Sequence, residues 1–457
     1  MEKESTFGSL LRHEVDLYRS NPARLLITGL MMIIVILALY RGGAIFHHRA
    51  ESIHEAQAAA EGEWAKFKPE QWLNAGVGSG KWIYQPPLPS SMLMDGISRN
   101  QTAGLRVRVG LAPAHRTELT DGQQAWNPQV SRFGSLDLGF VLTVLAPLWV
   151  ILLTFDAVSG EKERGTLRLL FSYPVDRKSY LNAKAFGLLI WVVVPISIAF
   201  FIGFLVNGFS GHFQNGFIHP MRLILFASAG FLYLAFWGMA GLWASARSTD
   251  SRRSLMLLLL VWVVFTFFIP RIAMIVGDQL HPRATKMEID IAKRALLAEG
   301  RRILDEDHHG KPPASWMEER VLVAGKILPK EAEIDRAFAM EREAAHRTKT
   351  GLASLSPMAV TSFALMDLAG TGERRYRHFI NQVESYRHQF SGYYASVARQ
   401  EPKEVKVIFA GIPGFQYREE SLTEVVGRTW PKMFWLALLA VAAYAAAVRG
   451  IRRYDLR

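Results

Sequence analysis

LLITGLMMIIVILALY, residues Leu25–Tyr40, is an uncharged stretch with Arg24 before it and Arg41 after it. A bilayer core about 30 Å thick takes about 20 largely apolar helical residues to cross. The run is slightly short, and the two arginines extend it by reaching back toward the interfaces with their heads in water. A cleaved signal peptide is the competing reading. Against it, the basic stretch ahead of the run is long, and Arg41 stands where small cleavage-site residues belong.

Working outward, five further runs meet or approach the same length. The six expected spans are residues 25–41, 135–158, 185–206, 222–244, 254–276 and 430–448. Pro147, Pro195 and Pro270 lie within three of them, read as packing kinks whose freed carbonyls neighbouring helices satisfy. Gly230, Gly238 and Gly241 in the fourth run suit close helix contact. The fold class is therefore a membrane all-α protein with six transmembrane helices.

Composition agrees with this class. The chain has 457 residues, of which 50% are hydrophobic, and a formal net charge of +12. Its basic residues gather at the ends of the apolar runs, as helix anchors do, rather than in one aromatic-laced patch, so nucleic acid is not expected as a partner. It has no cysteine, which excludes disulfides, thiolate metal sites and a thiol nucleophile.

Loop charge sets the expected orientation, because Lys and Arg accumulate on the cytoplasmic side. Lys162, Arg164, Arg168, Arg177, Lys178 and Lys184 follow the second run, and Arg247, Arg252 and Arg253 follow the fourth. The tail (449–457) holds Arg449, Arg452, Arg453 and Arg457, whereas 207–220 has no Asp, Glu, Lys or Arg. The signs alternate as six spans require, with both termini cytoplasmic.

Residues 1–24 place Phe7, Leu10, Leu11, Val15 and Tyr18 on one helical face, with Arg12, Glu14, Asp16 and Arg19 mostly on the others. Such a helix can lie at the membrane surface or pack as an ordinary cytoplasmic helix. Asn21-Pro22 then starts the first span. Residues 42–134 and 277–429 read together as one mainly helical extracytoplasmic domain with some β structure. Within it Leu105–Leu111 alternates as a strand does, and 405–410 is a second β-like piece. Helices are expected over 285–305 and 315–348, separated by the turn at Gly310-Lys311-Pro312-Pro313. Ser356-Pro357 reads as a helix start, Gly370 as its stop, and Thr371 as the cap of a further helix to about Gln400.

Two patterns invite chemical readings. Gly76–Trp82 (GVGSGKW) imitates a phosphate loop, but Ala75 replaces the first glycine and Trp82 the magnesium-binding hydroxyl. His47, His48, Glu51 and His54, with His308 and His309, have spacings that suit a transition metal but equally a solvated polar face. No catalytic, metal or cofactor site is expected in this chain.

The loop FDAVSGEKERGTLRLLFSYPVDR, Phe155–Arg177, is the most informative segment. Ser159-Gly160 is expected to break the second span. Glu161 and Glu163 suit the positive end of a short new helix whose apolar face is Leu167, Leu170 and Phe171. Pro174 ends that helix and Asp176 caps the next. A short amphipathic helix rooted between two spans can act as a lever, or simply rest on lipid head groups.

Asp156, Ser159, Glu161, Glu163, Gly165, Thr166 and Leu167, with Pro174 and Lys184, resemble the coupling region of type-2 ABC transporter permeases. The six-span order and the N-terminal amphipathic helix resemble that family too. Ser356-Pro357 and Leu368-Ala369-Gly370-Thr371 are similar to a bacterial subgroup with a large extracytoplasmic domain, and permeases tied to multicopper-enzyme maturation are more distant relatives. The resemblance implies a bacterial inner-membrane subunit, paired with a second permease copy or paralogue and bound to two cytoplasmic ABC ATPase subunits. ATP and magnesium would reside on those partners. Asp156, Ser159, Glu161, Glu163, Arg164, Gly165, Thr166, Leu167 and Phe171 would form the ATPase-coupling segment. Glu161, Glu163 and Arg164 would make polar contacts there, and Leu167 and Phe171 apolar ones. The outer helices would gate exit or dock an envelope partner. Two alternatives are a membrane-anchored envelope assembly protein and an intramembrane enzyme.

Overall fold

The computed structural model describes residues 2–98, 101, 104–109, 137–281, 286–307, 315–399 and 411–452. The β-like piece at 405–410, His308, His309, the turn at 310–313 and the tail beyond 452 lie outside the described residues.

Helix α1 (Glu2–Ser20) leads into α2 (Pro22–Ala65). Asn21 accepts the N–H groups of Ala23 and Arg24 and Pro22 fills the first turn, a start that leaves few amide donors unsatisfied. The helix does not end near Arg41 as expected. Alanine, glutamate and glutamine dominate 55–62 and favour helix, so α2 runs on for 44 residues, about 66 Å at 1.5 Å each. Less of segment 42–134 is therefore irregular than its sequence suggested.

Among the described residues, six helices are long and apolar enough to cross a membrane. They are α2, α3 (138–154), α6 (Arg177–Phe209), α7 (Pro220–Arg247), α8 (Ser251–Leu280) and α13 (Leu422–Arg452). Two short helices, α4 (Ser159–Glu163) and α5 (Thr166–Ser172), separate α3 from α6. Helix α7 packs along α3 and α13, while α6 packs on α1 and α2. One apolar core centred on Val35, Leu39, Trp149, Leu188, Tyr233 and Trp237 joins them. Close approach uses the expected glycine at 241: a Cβ there would lie 2.0 Å from the Thr154 hydroxyl of α3.

The prolines at 147 and 270 each follow a wide π turn, Val141–Leu145 and Val264–Phe268. A proline ring displaces the carbonyl four residues earlier, and a wider turn makes room for it. Neighbours satisfy the exposed carbonyls: Tyr233 donates to Thr143 O at 3.0 Å, and the Ser356 hydroxyl donates to Phe265 O.

Most of the described residues between α2 and α3, and between α8 and α13 apart from α11, form a globular unit at the end of the bundle opposite α5. It contains α9 (Lys286–Asp307), α10 (Trp316–Ala353), α12 (Glu373–Arg399) and a hairpin of β1 (Lys81–Tyr84) against β2 (Gly104–Val107). Leu105 and Val107 face its core beside Phe379, Phe390 and Tyr394, and Arg106 turns out over the Trp82 ring.

Helix α11 (Pro357–Ala369) departs from expectation. Its start and stop are as read: Ser356 accepts the Ala359 N–H, and Gly370 adopts a left-handed φ of 71°. Yet it packs against α7 and α13, and Val360, Leu365, Leu368 and Ala369 belong to the bundle core rather than to the globular unit. Thr371 does not cap α12: its N–H closes the end of α11 on Met366 O, and α12 begins at Glu373.

Candidate coupling site at one end of the bundle

The break after α3 falls at residues 155–158, before the expected Ser159-Gly160. Ser159 and Gly160 instead open α4. The Ser245 hydroxyl, from α7, accepts the N–H groups of both Val158 and Ser159 at 2.9 Å. A donor pair at a helix start is normally capped by a local side chain. Here the cap comes from 86 residues away, which is why local sequence misplaces the boundary.

The motif residues reach different neighbours. Asp156 pairs with Arg24 of α2 at 2.7 Å, and Arg24 also lies over the Tyr18 ring of α1. Ser159 bridges Ser245 and Ser251 across the α7–α8 junction. Glu161 accepts from Lys184 Nζ at 2.7 Å and from Tyr180 OH at 2.5 Å, both on α6. Lys184 also donates to Glu14 of α1 at 2.8 Å, and its side chain is only 4% exposed. Glu163 accepts from the Ser251 N–H at 2.7 Å and its hydroxyl at 3.0 Å, closing the start of α8. Lys162 donates to the Ala246 and Ser248 carbonyls at the end of α7.

Gly165 joins α4 to α5 with φ +75°, a left-handed conformation that favours glycine. Thr166 donates to Glu161 O at 3.2 Å, holding the two short helices together. Leu167 is 1% exposed and turned into the bundle, so the surface contact expected of it is not offered. Phe171 packs edge-on against Tyr180 at 5.5 Å under the Arg177 guanidinium. Arg177 in turn donates to the Ile451 and Arg452 carbonyls, the negative end of α13. Arg164, Arg168, Leu169 and Tyr173 form the free surface, and Leu169 is 63% exposed.

Glu161 and Glu163, which the resemblance places in polar contact with a partner, are bonded within the chain, Glu163 while still exposed. The residues that complete the cluster, Glu14, Arg24, Tyr180, Ser245 and Ser251, carried no signal as a set. Glu14 in particular was assigned to the polar face of α1 but is buried against α6.

The other candidates resolve into structure. Gly76 lies under Tyr394, whose ring a Cβ would meet at 2.2 Å, and Gly80 N–H is spent on Ala75 O, so no phosphate cradle forms. His47 pairs with Asn215 on the α6–α7 loop at 3.0 Å. Among the described residues, Asp335, Glu384 and His388 converge closely enough for a metal. Both carboxylates are already paired with Arg387, and Asp335 also with Lys293 at 2.8 Å. That arrangement is a buried ion-pair network, in which Arg387 reaches Glu331 at 2.6 Å as well. Burial, with the Arg387 charge beside it, pushes His388 below its ordinary value.

Comparison with known proteins accords with this geometry. A family model described as ABC-2 family transporter protein matches residues 9–450. Over 63 residues the chain is 40% identical to "Probable ABC transporter permease protein NosY" of Stutzerimonas stutzeri, covering 14% of this chain and 23% of that protein. Over 45 residues it is 49% identical to the protein of the same name from Pseudomonas aeruginosa, covering 10% and 16%. The chain thus spans less than a quarter of the length of these curated relatives, whereas the family model covers nearly all of it. With six membrane-length helices and that match, the chain belongs to the ABC-2 family of transporter proteins.

Proposed function

We propose that this protein is the permease subunit of an ATP-driven exporter, or a transmitter of ATPase motion across the membrane, in the bacterial inner membrane. It works with a second permease copy or paralogue and two cytoplasmic ATPases that carry ATP and magnesium. Both termini and α5 lie in the cytoplasm, the side on which the basic loops fall. The permease names of the two NosY relatives and the family match support this role.

The observation that carries the mechanism is the wiring of α4–α5. Asp156 fastens it to α2, Glu161 through Lys184 to α6 and α1, Ser159 to α7, and Glu163 to α8. A push on α5 therefore reaches the inner ends of most of the bundle together, through charge-assisted bonds rather than lipid-softened contacts. Arg164, Arg168, Leu169 and Tyr173 form the face that meets the ATPase, while Asp156, Ser159, Glu161, Glu163, Gly165, Thr166, Leu167 and Phe171 hold that face in place. An assembly protein that used its spans only as anchors would have no need of such wiring.

The test is co-purification of the permease with its ATPase in mild detergent, comparing Arg168→Glu/Leu169→Asp with wild type. The surface double variant is expected to insert and fold normally but to lose ATPase association or coupled hydrolysis. Undiminished stimulated ATPase activity in that variant rejects α5 as the docking face.

A further inference from the structure

A narrow trough with a volume of about 230 Å³ runs between α6 and α7, in the half of the bundle farther from α5. Ile196, Phe200 and Phe204 line one wall and Leu223, Ala227 and Phe231 the other, each set at one-turn spacing. Leu142 of α3, 2% exposed, closes the back, while Ser197 and Ile224 stand exposed at the rim. We propose that this trough binds one acyl chain of a membrane lipid from the leaflet opposite α5.

The space exists because two consecutive helices are drawn to different neighbours. Helix α6 packs on α1 and α2, whereas α7 packs on α3 and α13. The glycines of α7 show where the two part. A Cβ at Gly238 would press on Leu188 of α6 at 2.8 Å, so the helices meet there. At Gly230, two turns nearer the start of α7, no α6 atom lies within 4 Å of such a Cβ, and its nearest neighbour is Leu142 of α3 at 3.4 Å. Helices in a bilayer associate by close packing rather than by excluding water, so hydrocarbon that fits such a gap restores the lost contacts.

Dimensions select the occupant. Each wall extends over eight residues, about 12 Å of helix at 1.5 Å each. Spread over that length, the volume leaves a channel about 5 Å wide, which takes one extended hydrocarbon chain but not a helix of a second copy, about 10–12 Å across. It also exceeds the volume, about 150 Å³, at which an apolar cavity already holds benzene. The end away from α5 is closed by rings rather than charge. Phe204 stacks on Phe213 at 6.1 Å and Phe213 on Phe217 at 5.3 Å, and residues 207–220 include no Asp, Glu, Lys or Arg. Arg222, at the start of α7, is turned to the Leu368 carbonyl of α11. No described charged residue lines the trough, so chain shape and not the headgroup governs selection.

The test uses the full-length protein in glyco-diosgenin, a detergent whose rigid ring system is wider than the trough. Phosphatidylcholine and, separately, phosphatidylglycerol are titrated in, each with a photoreactive diazirine midway along one acyl chain, and peptide mass spectrometry locates the adducts. Adducts within 196–204 and 223–231 are expected to saturate and to be alike for both headgroups. Adducts around Leu30 and Leu37, exposed on α2, should keep rising with added probe. Ala227→Trp, which fills the trough, and Ser197→Phe, which covers its exposed rim, should each lower the trough adducts severalfold without altering those on α2. Trough labelling that rises in step with that on α2 means bulk lipid only and overturns the proposal. So does saturable labelling that neither variant lowers, labelling by one headgroup alone, or an unlabelled trough beside a labelled α2. Each of those results leaves the α5 docking role standing, because no ATPase enters the measurement.

Discussion

Replacing Lys184 by Met tests the wiring where it is most concentrated. Lys184 Nζ sits 2.8 Å from Glu14 and 2.7 Å from Glu161, with all three side chains at most 15% exposed. Breaking a buried pair by removing one partner costs about 3–5 kcal/mol, because the other charge stays behind. Here two carboxylates remain. Each was in contact with the same nitrogen, so they can be no more than about 5.5 Å apart. At an effective dielectric of about 20 their mutual repulsion is about 3 kcal/mol. Relaxation toward water and protonation of one carboxylate would absorb part of this, so a net loss of about 3–5 kcal/mol is expected. Adding Glu14→Gln and Glu161→Gln removes the stranded charges and should recover most of the loss, since a buried charge cluster exchanged for neutral groups is often close to neutral in stability. Unfolding by sodium dodecyl sulfate in mixed micelles, followed by tryptophan fluorescence, measures all three proteins. A single variant within about 1 kcal/mol of wild type, or a triple variant as unstable as the single, refutes the reasoning.

The surface and buried faces of α5 should separate in the same assay. Leu167→Ala should cost about 2–4 kcal/mol by leaving a cavity, while Leu169→Asp, at a largely exposed position, should stay within about 0.5 kcal/mol. Gly42→Ala should destabilise more than Gly241→Ala. The new methyl at 42 would meet the Met92 backbone oxygen at 1.9 Å, whereas at 241 it meets a threonine side chain that Thr154→Ala can withdraw. His388 predicts an acid limb in the stability of the globular unit. Its folded pKa lies below the unfolded value of about 6.5, so the unfolded chain binds more protons as pH falls through that value. Stability contributed through this residue is therefore level above about pH 6.5 and declines below it, and His388→Asn should flatten that part of a pH–stability profile.

Much of the coupling region was legible because its signals are local. Asp176 caps α6 by accepting the Ser179 N–H, and Ser356 caps α11, each readable from a few adjacent residues. The single short helix expected from Glu161 to Phe171 is instead two, because Gly165 turns left-handed between α4 and α5. The partners were not legible. Nothing near Glu161 announces that Lys184 and Glu14 will neutralise it, because the three lie on separate helices brought together only by packing. Leu167 and Leu169 differ in exposure although both are leucines of one short helix, and only the position of that helix against the bundle separates them.

Charge-free length and basic loop ends sufficed to specify six membrane helices, since a bilayer penalises polar backbone and charge at every residue of a span, and that penalty is written one residue at a time. Tertiary structure alone decided that α11 belongs to the bundle and that a serine of α7 opens α4. It also decided that Glu161 turns toward Lys184 and Tyr180 of α6 and that Glu163 closes the start of α8. These are contacts between distant segments, whose free energy depends on distances that no stretch of sequence contains.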